Sequence, residues 1–67
     1  MAVVNRLKEI RESRGLHQTD VASGTGFCSK TISRVERCER DPSAEFMLRI
    51  AAYFNLMVED LFQLDES

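Results

Sequence analysis

Residues 18–36 read QTDVASGTGFCSKTISRVE, a pattern of two short helices joined by a tight turn. Its first half carries Val21 and Ala22 as the apolar positions of a short helix. Gly26 supplies the permissive backbone that a tight turn needs, and Thr25-Gly26-Phe27 forms that turn with Phe27 directed inward. Ala22 is small where two crossing helices must approach. A second helix then starts near Ser29.

The second helix is the informative one. Advancing about 100° per residue from Ser29 brings Ile32 and Val35 together on one side. Ser29, Lys30, Ser33, Arg34 and Arg37 fall on the other. A merely solvated face mixes both charge signs. This outer face has small hydroxyls, three cations and no acid. Phosphates and base edges select that composition: cations supply charge, and small residues allow close approach.

The ordered set of residues resembles the helix-turn-helix of the Cro/C1-type (XRE) repressor family. The matching positions are Gln18, Ala22, Gly26, Ile32, Val35 and Glu36, with Leu16 just before and Asp41-Pro42-Ser43 just after. The likeness runs from about Asn5 to Phe62. It implies an all-α, five-helix, lambda-repressor-like domain spanning residues 1–67, with its helix-turn-helix at 18–37. In length and layout the chain is similar to short members such as the cytolysin regulator. Some of these close their fold with two short antiparallel strands. Residues 1–4 are short and β-branched, and Phe62-Gln63-Leu64-Asp65 alternates apolar and polar, so such a pairing fits; frayed termini fit equally well.

Composition agrees with one small domain. Sixty-seven residues bury a modest core, and dimerisation is a common remedy. No apolar run approaches the ~20 residues needed to cross a membrane, and no secretory apolar core is present, so a cytoplasmic location is expected. The net charge of −2 looks wrong for a nucleic-acid binder, but its distribution is bipolar. Residues 1–40 hold eight of the nine cations and five acids, a net of +3; residues 41–67 hold Arg49 and six acids, a net of −5. Such asymmetry points to a basic working face and an acidic rear.

Cys28 and Cys38 bracket one helix, about 15 Å apart at 1.5 Å per residue. A disulfide needs Cα atoms within about 7 Å, so both thiols should be free. Two cysteines and one histidine so dispersed make no metal site. No cofactor is implied and no small-molecule ligand is evident. His17 is the sole histidine, and no nucleophile stands with a base, so the chain does not read as an enzyme.

In chain order, Asn5 caps a first helix running to Arg14, with Leu7 and Ile10 on its apolar side. Arg11 and Glu36 both lie toward apolar faces. The family resemblance implies that they pair; the alternative is that both heads reach water. Gly15 stops the helix. A second helix covers His17 to about Thr25, with His17 and Asp20 as a weak capping box. Ser23-Gly24 is poor helix chemistry and makes this the softest helix. The family uses the residue at Gln18 on the DNA backbone and to brace the recognition helix.

Ser29, Lys30, Ser33 and Arg34 are the candidates for DNA-base contact. Phosphate contact falls to Gln18, Thr31, Arg37 and Arg40, with Thr31 also placed to pack. Lys30 and Arg34 confined to phosphates is the competing reading. Cys28 stands where the family favours Ser or Thr, either as a tolerated substitute or as a redox-sensitive thiol at a helix start. The family often has Asn-Gly at the positions of Arg37 and Cys38. Without glycine, the chain must leave by another turn or force Cys38 to positive φ.

Ser43 caps a helix over Ala44 to Phe54, apolar around most of its circumference, and Asn55 ends it. A fifth helix covers Val58 to Phe62. Leu56, Met57, Leu61 and Leu64 exceed what one small core absorbs and are the candidate homodimer interface; extra core is the alternative. The expected partners are double-stranded DNA and a second copy, on an inverted-repeat operator, with transcription repressed. An antitoxin-like or other protein-interaction module on the same fold is the rival.

Overall fold

The computed structural model describes residues 2–65. It consists of β1 (Ala2–Asn5), α1 (Leu7–Ser13), α2 (Gln18–Thr25), α3 (Ser29–Glu36), α4 (Ala44–Phe54), α5 (Val58–Leu61) and β2 (Phe62–Asp65). The two strands pair antiparallel, in a register that sets Val3 against Leu64 and Asn5 against Phe62. Five helices and this small sheet match the expected architecture; Met1, the first residue of the expected strand, lies outside the described residues.

Three boundaries differ from expectation. Asn5 is not the cap of α1 but the last residue of β1. Its side chain is used twice: Oδ1 accepts the Leu7 N–H at 3.1 Å, and Nδ2 donates to the Val35 carbonyl at 2.8 Å. With Asn5 drawn into the sheet, the helix starts at Leu7, and it ends at Ser13 instead of Arg14. At the other end, Phe62 leaves α5 for β2, because its backbone is extended (φ −125°, ψ 135°) and pairs with Asn5.

The apolar periodicity delivers one core. Leu7, Val21, Ile32, Ile50 and Leu61 are fully buried, and Val35, Phe46, Phe54, Ala51 and Phe62 nearly so. Each large side chain so buried is worth about 1.5–3 kcal/mol against exposure. α4 contributes more buried residues than any other element, Phe46, Ile50, Ala51 and Phe54, and packs on α2 and α5. It is less completely apolar-packed than its sequence implies: Leu48 is 63% exposed and points away. Its ends follow local chemistry. Ser43 Oγ accepts the Phe46 N–H at 3.1 Å, and Asn55 turns left-handed (φ 57°, ψ 44°) to end it.

The end of α3 is less comfortable. Cys38 has φ 59°, the left-handed conformation that a non-glycine residue holds at a cost of about 1–2 kcal/mol. In return its N–H bonds the Val35 carbonyl at 3.0 Å, and the Glu39 N–H bonds the Arg34 carbonyl at 2.9 Å. The exit is thus the usual left-handed one, carried by a cysteine where glycine would be relaxed.

Gly24 in α2 has a packing reason that the sequence does not announce. A Cβ placed there would run into the aromatic ring of Tyr53. The glycine lets α4's tyrosine lie against the α2 backbone.

Candidate nucleic-acid interface

α3 divides as its periodicity dictates. Ile32 and Val35 are sealed in the core. On the outer side Lys30 and Arg34 are exposed, with Ser29 and Ser33 half-buried between them. Neither Lys30 nor Arg34 forms a salt bridge among the described residues. Their charges are therefore available to an anionic partner. Thr31 is half-buried; its hydroxyl lies 3.1 Å from Cys28 Sγ, which ties it to the helix start.

Cys28 is the N-cap residue of α3 and takes an extended conformation (φ −82°, ψ 153°). The Thr31 hydroxyl and then the Thr31 backbone N–H favour the thiolate and hold the thiol below its ordinary pKa. Cys28 and Cys38 are both free and exposed.

A buried polar network fixes α3 against the rest of the motif. Arg11 Nε donates to Glu36 Oε2 at 2.7 Å, and a second guanidinium nitrogen donates to Oε1 at 3.1 Å. Arg11 also donates to the Leu16 carbonyl at 2.9 Å, holding the segment that enters α2. Glu36 beside it raises the Arg11 guanidinium above its ordinary pKa. Gln18 Nε2 donates to Glu36 Oε1 at 3.0 Å. Its remaining amide hydrogen is available beside the cleft formed by Arg11, His17, Gln18, Thr19 and Ser29. That cleft lies at the starts of α2 and α3, where free backbone N–H groups suit a phosphate oxygen. The start of α2 is held by Asp20, whose carboxylate accepts the His17 N–H at 2.8 Å.

The loop cations are less uniform than the sequence implies. Arg37 pairs with Glu39, Nε to Oε2 at 3.0 Å, with both side chains exposed. The basic surface at the end of α3 is therefore partly neutralised by an acid just beyond the helix. Arg40 is exposed and stands beside Thr31, Asp41 and Ser43.

Of the residues expected at a dimer interface, Leu61 is a correction. It is fully buried in the core, because the short α5 turns its last residue inward before β2 begins. Leu56 is half-buried. Met57 and Leu64 are exposed, at 63% and 60%. Leu64 borders a shallow apolar groove with Val3, Met47, Val58 and Phe62.

Two site features are not legible in the sequence. Arg49 reads there only as the lone cation of the acidic half, yet it donates to the Thr25 carbonyl at 3.1 Å and lies over the Phe27 ring. Glu39 was visible two residues from Arg37, a spacing that signals pairing only once the loop geometry is known. Among the described residues no helix is long and apolar enough to cross a membrane, and no cluster of three or more potential metal ligands occurs.

Comparison with known proteins follows the same outline. Residues 2–64 match a family model described as a helix-turn-helix domain. An uncharacterised HTH-type transcriptional regulator of Methanocaldococcus jannaschii is 36% identical over 58 residues, 87% of this chain and 88% of that protein. The HTH-type transcriptional regulator ImmR of Bacillus subtilis is 30% identical over 66 residues, covering 98% of this chain and 52% of ImmR. The crystal structure of the restriction-modification controller protein C.AhdI from Aeromonas hydrophila superposes with a TM-score of 0.78 at 29% identity, covering 82% of this chain and 83% of its own. A Bacteroides fragilis protein superposes with a TM-score of 0.80 over 91% of this chain and 98% of its own; at 23% identity it speaks for the fold alone.

Proposed function

The chain belongs to the helix-turn-helix family, Cro/C1-type by the residues that carry the resemblance, and we propose that it works as a homodimer on an inverted-repeat operator. It is a DNA-binding transcription regulator. In our reading α3 enters the major groove. Ser29, Lys30, Ser33 and Arg34 meet base edges, with Lys30 and Arg34 donating to guanine O6 and N7. Gln18, Thr31, Arg37 and Arg40 hold phosphates on either side. Two copies would set their recognition helices about 34 Å apart, one turn of DNA. Occupying such an operator obstructs polymerase, which makes repression the expected outcome and the cytoplasm its place.

The observation that carries this reading is the outer face of α3: two exposed cations without acidic partners among the described residues, flanked by small hydroxyls, on a helix whose other side is sealed in the core. A protein-docking face would present apolar side chains there. Met57, Leu64 and the groove beside Leu64 support self-association on a different side of the molecule.

Selection from a randomised duplex pool at fixed salt, with wild type and Arg34→Ala, tests the reading. An inverted repeat that loses one base preference in the variant supports dimeric direct readout. Enrichment without a motif, steeply dependent on salt, reduces it to phosphate binding. No enrichment overturns it.

A further inference from the structure

The turn between α2 and α3 is docked on α4 by the Arg49 guanidinium and by the packing of Phe27 on Phe46. Arg49 Nη1 donates to the Thr25 carbonyl at 3.1 Å, the last residue of α2. Arg49 Nη2 meets Glu45 Oε2 at 2.7 Å, one helical turn back on α4. The guanidinium carbon stands 5.5 Å from the centre of the Phe27 ring. That ring in turn packs on Phe46, with centroids 4.9 Å apart. Phe27 thus meets both a cation and an aromatic ring from α4. Gly26, between the two contacts, has φ 84°, and a Cβ there would sit 3.2 Å from Arg49 Nη1.

These contacts cover consecutive residues, Thr25, Gly26 and Phe27. Cys28, the next residue, caps α3. The direction in which α3 leaves the turn is therefore set at the place Arg49 grips. The planar fork matters: one nitrogen meets Glu45, and that constrains where the other points, while the guanidinium carbon stands over the Phe27 ring within cation–π range. An ammonium has neither the fork nor the face.

We propose that Arg49 is a positioning residue for DNA recognition, acting through the Thr25–Phe27 turn to aim α3 without touching DNA itself. The proposal rests on the DNA-binding reading of α3 for its functional consequence, and on the turn alone for its structural one.

The test uses the full chain with Arg49→Gln and Arg49→Lys. Both side chains involved in the surface pair are more than half exposed, so both variants should fold, as checked by circular dichroism. Without DNA, the amide resonances of residues 26–29 should shift in Arg49→Gln, while those of the β1–β2 sheet stay in place. With operator DNA, affinity per folded molecule should fall about tenfold in Arg49→Gln, as for one misplaced base contact, and Arg49→Lys should recover only part. The slope of affinity against salt should be unchanged, since no phosphate contact is lost. Unshifted turn resonances or unchanged affinity overturn the proposal. So does a slope reduced by about 0.9, which would make Arg49 a phosphate ligand. Shifted resonances in a protein whose wild type binds no DNA would sustain the grip on the turn and sink the DNA reading instead.

Discussion

Arg11 and Glu36 stand twenty-five positions apart in the chain and form a two-bond ion pair at 2.7 and 3.1 Å, with side chains only 9% and 2% exposed. The pair ties α1 to the last residue of the recognition helix. Desolvating two charges is expensive, so the pair as a whole need not add net stability. Removing one partner is different, because it strands the other. Arg11→Met leaves the Glu36 carboxylate with only Gln18 among the described residues, and it should cost about 3–5 kcal/mol. That is a large part of the roughly 5–15 kcal/mol available to a domain of ordinary stability. The double variant Arg11→Met/Glu36→Leu should recover most of the loss. Urea denaturation of the four proteins in the cycle measures the coupling. A single variant as stable as wild type would mean that water reaches the pair.

A second substitution sets two effects of opposite sign against each other. Gly24→Ala gains helix propensity, about 1 kcal/mol. Its Cβ also overlaps the Tyr53 ring, which is half-buried and packed edge-on against Phe54 with centroids 5.0 Å apart. Overpacking of that kind costs about 1–3 kcal/mol, so net destabilisation is expected. In a Tyr53→Ala background the obstacle is gone, and Gly24→Ala should stabilise by about 1 kcal/mol. Thermal melts of both pairs decide it; the same sign in both backgrounds would refute the packing explanation.

Gly24 also marks where sequence reading stops. Local chemistry was legible: Ser43 and Asn55 bound α4 at the residues expected, and the spacing of Ile32 and Val35 oriented α3. Asn55 ends its helix because its own side chain tolerates a left-handed backbone, which needs no partner. What failed was decided by residues far away in the chain. Gly24 reads as helix weakness until Tyr53 arrives from α4. Asn5 reads as a cap until Phe62 pairs with it and Val35 claims its amide. Leu61 reads as surplus apolar surface because periodicity over four residues of α5 cannot tell the inward side from the outward one. Arg49 reads as an isolated charge, since its carbonyl and ring partners belong to a turn twenty-odd residues earlier.

The thiol of Cys28 gives a prediction in pH. Its pKa is lowered in the folded protein by the Thr31 hydroxyl and backbone N–H. A group depressed on folding stabilises the folded state above its unfolded pKa, and the contribution is lost as pH falls through the folded value. Relative to Cys28→Ser, wild type should therefore gain stability as pH rises through the thiol range. Alkylation of Cys28 should begin at lower pH in the folded protein than in urea. The thiolate also adds negative charge at the start of the proposed groove-reading helix. Operator affinity should then weaken with rising pH in wild type and stay level in Cys28→Ser. Peptide-resolved mass spectrometry and a pH series of binding curves provide the two measurements; coincident alkylation profiles in folded and unfolded protein would remove the basis for both.

Glu39 offers the reverse experiment, a gain in binding. Its carboxylate holds Arg37 at 3.0 Å on the exposed exit from α3. Exposed pairs contribute about 0–1 kcal/mol, so Glu39→Gln should leave the melting temperature nearly unchanged. For DNA the change is favourable twice over. It removes an acid beside the phosphates and frees Arg37 from Glu39 to hold in full the phosphate proposed for it. Affinity should rise at low salt, and the slope of log affinity against log salt should steepen by up to about 0.9 as that contact is completed. Adding Arg37→Ala should cancel the extra slope but keep part of the affinity gained by deleting the acid. If Glu39→Gln moves neither quantity, Arg37 and its loop stand clear of the DNA, and the phosphate contacts must be sought at Gln18 and Arg40 instead.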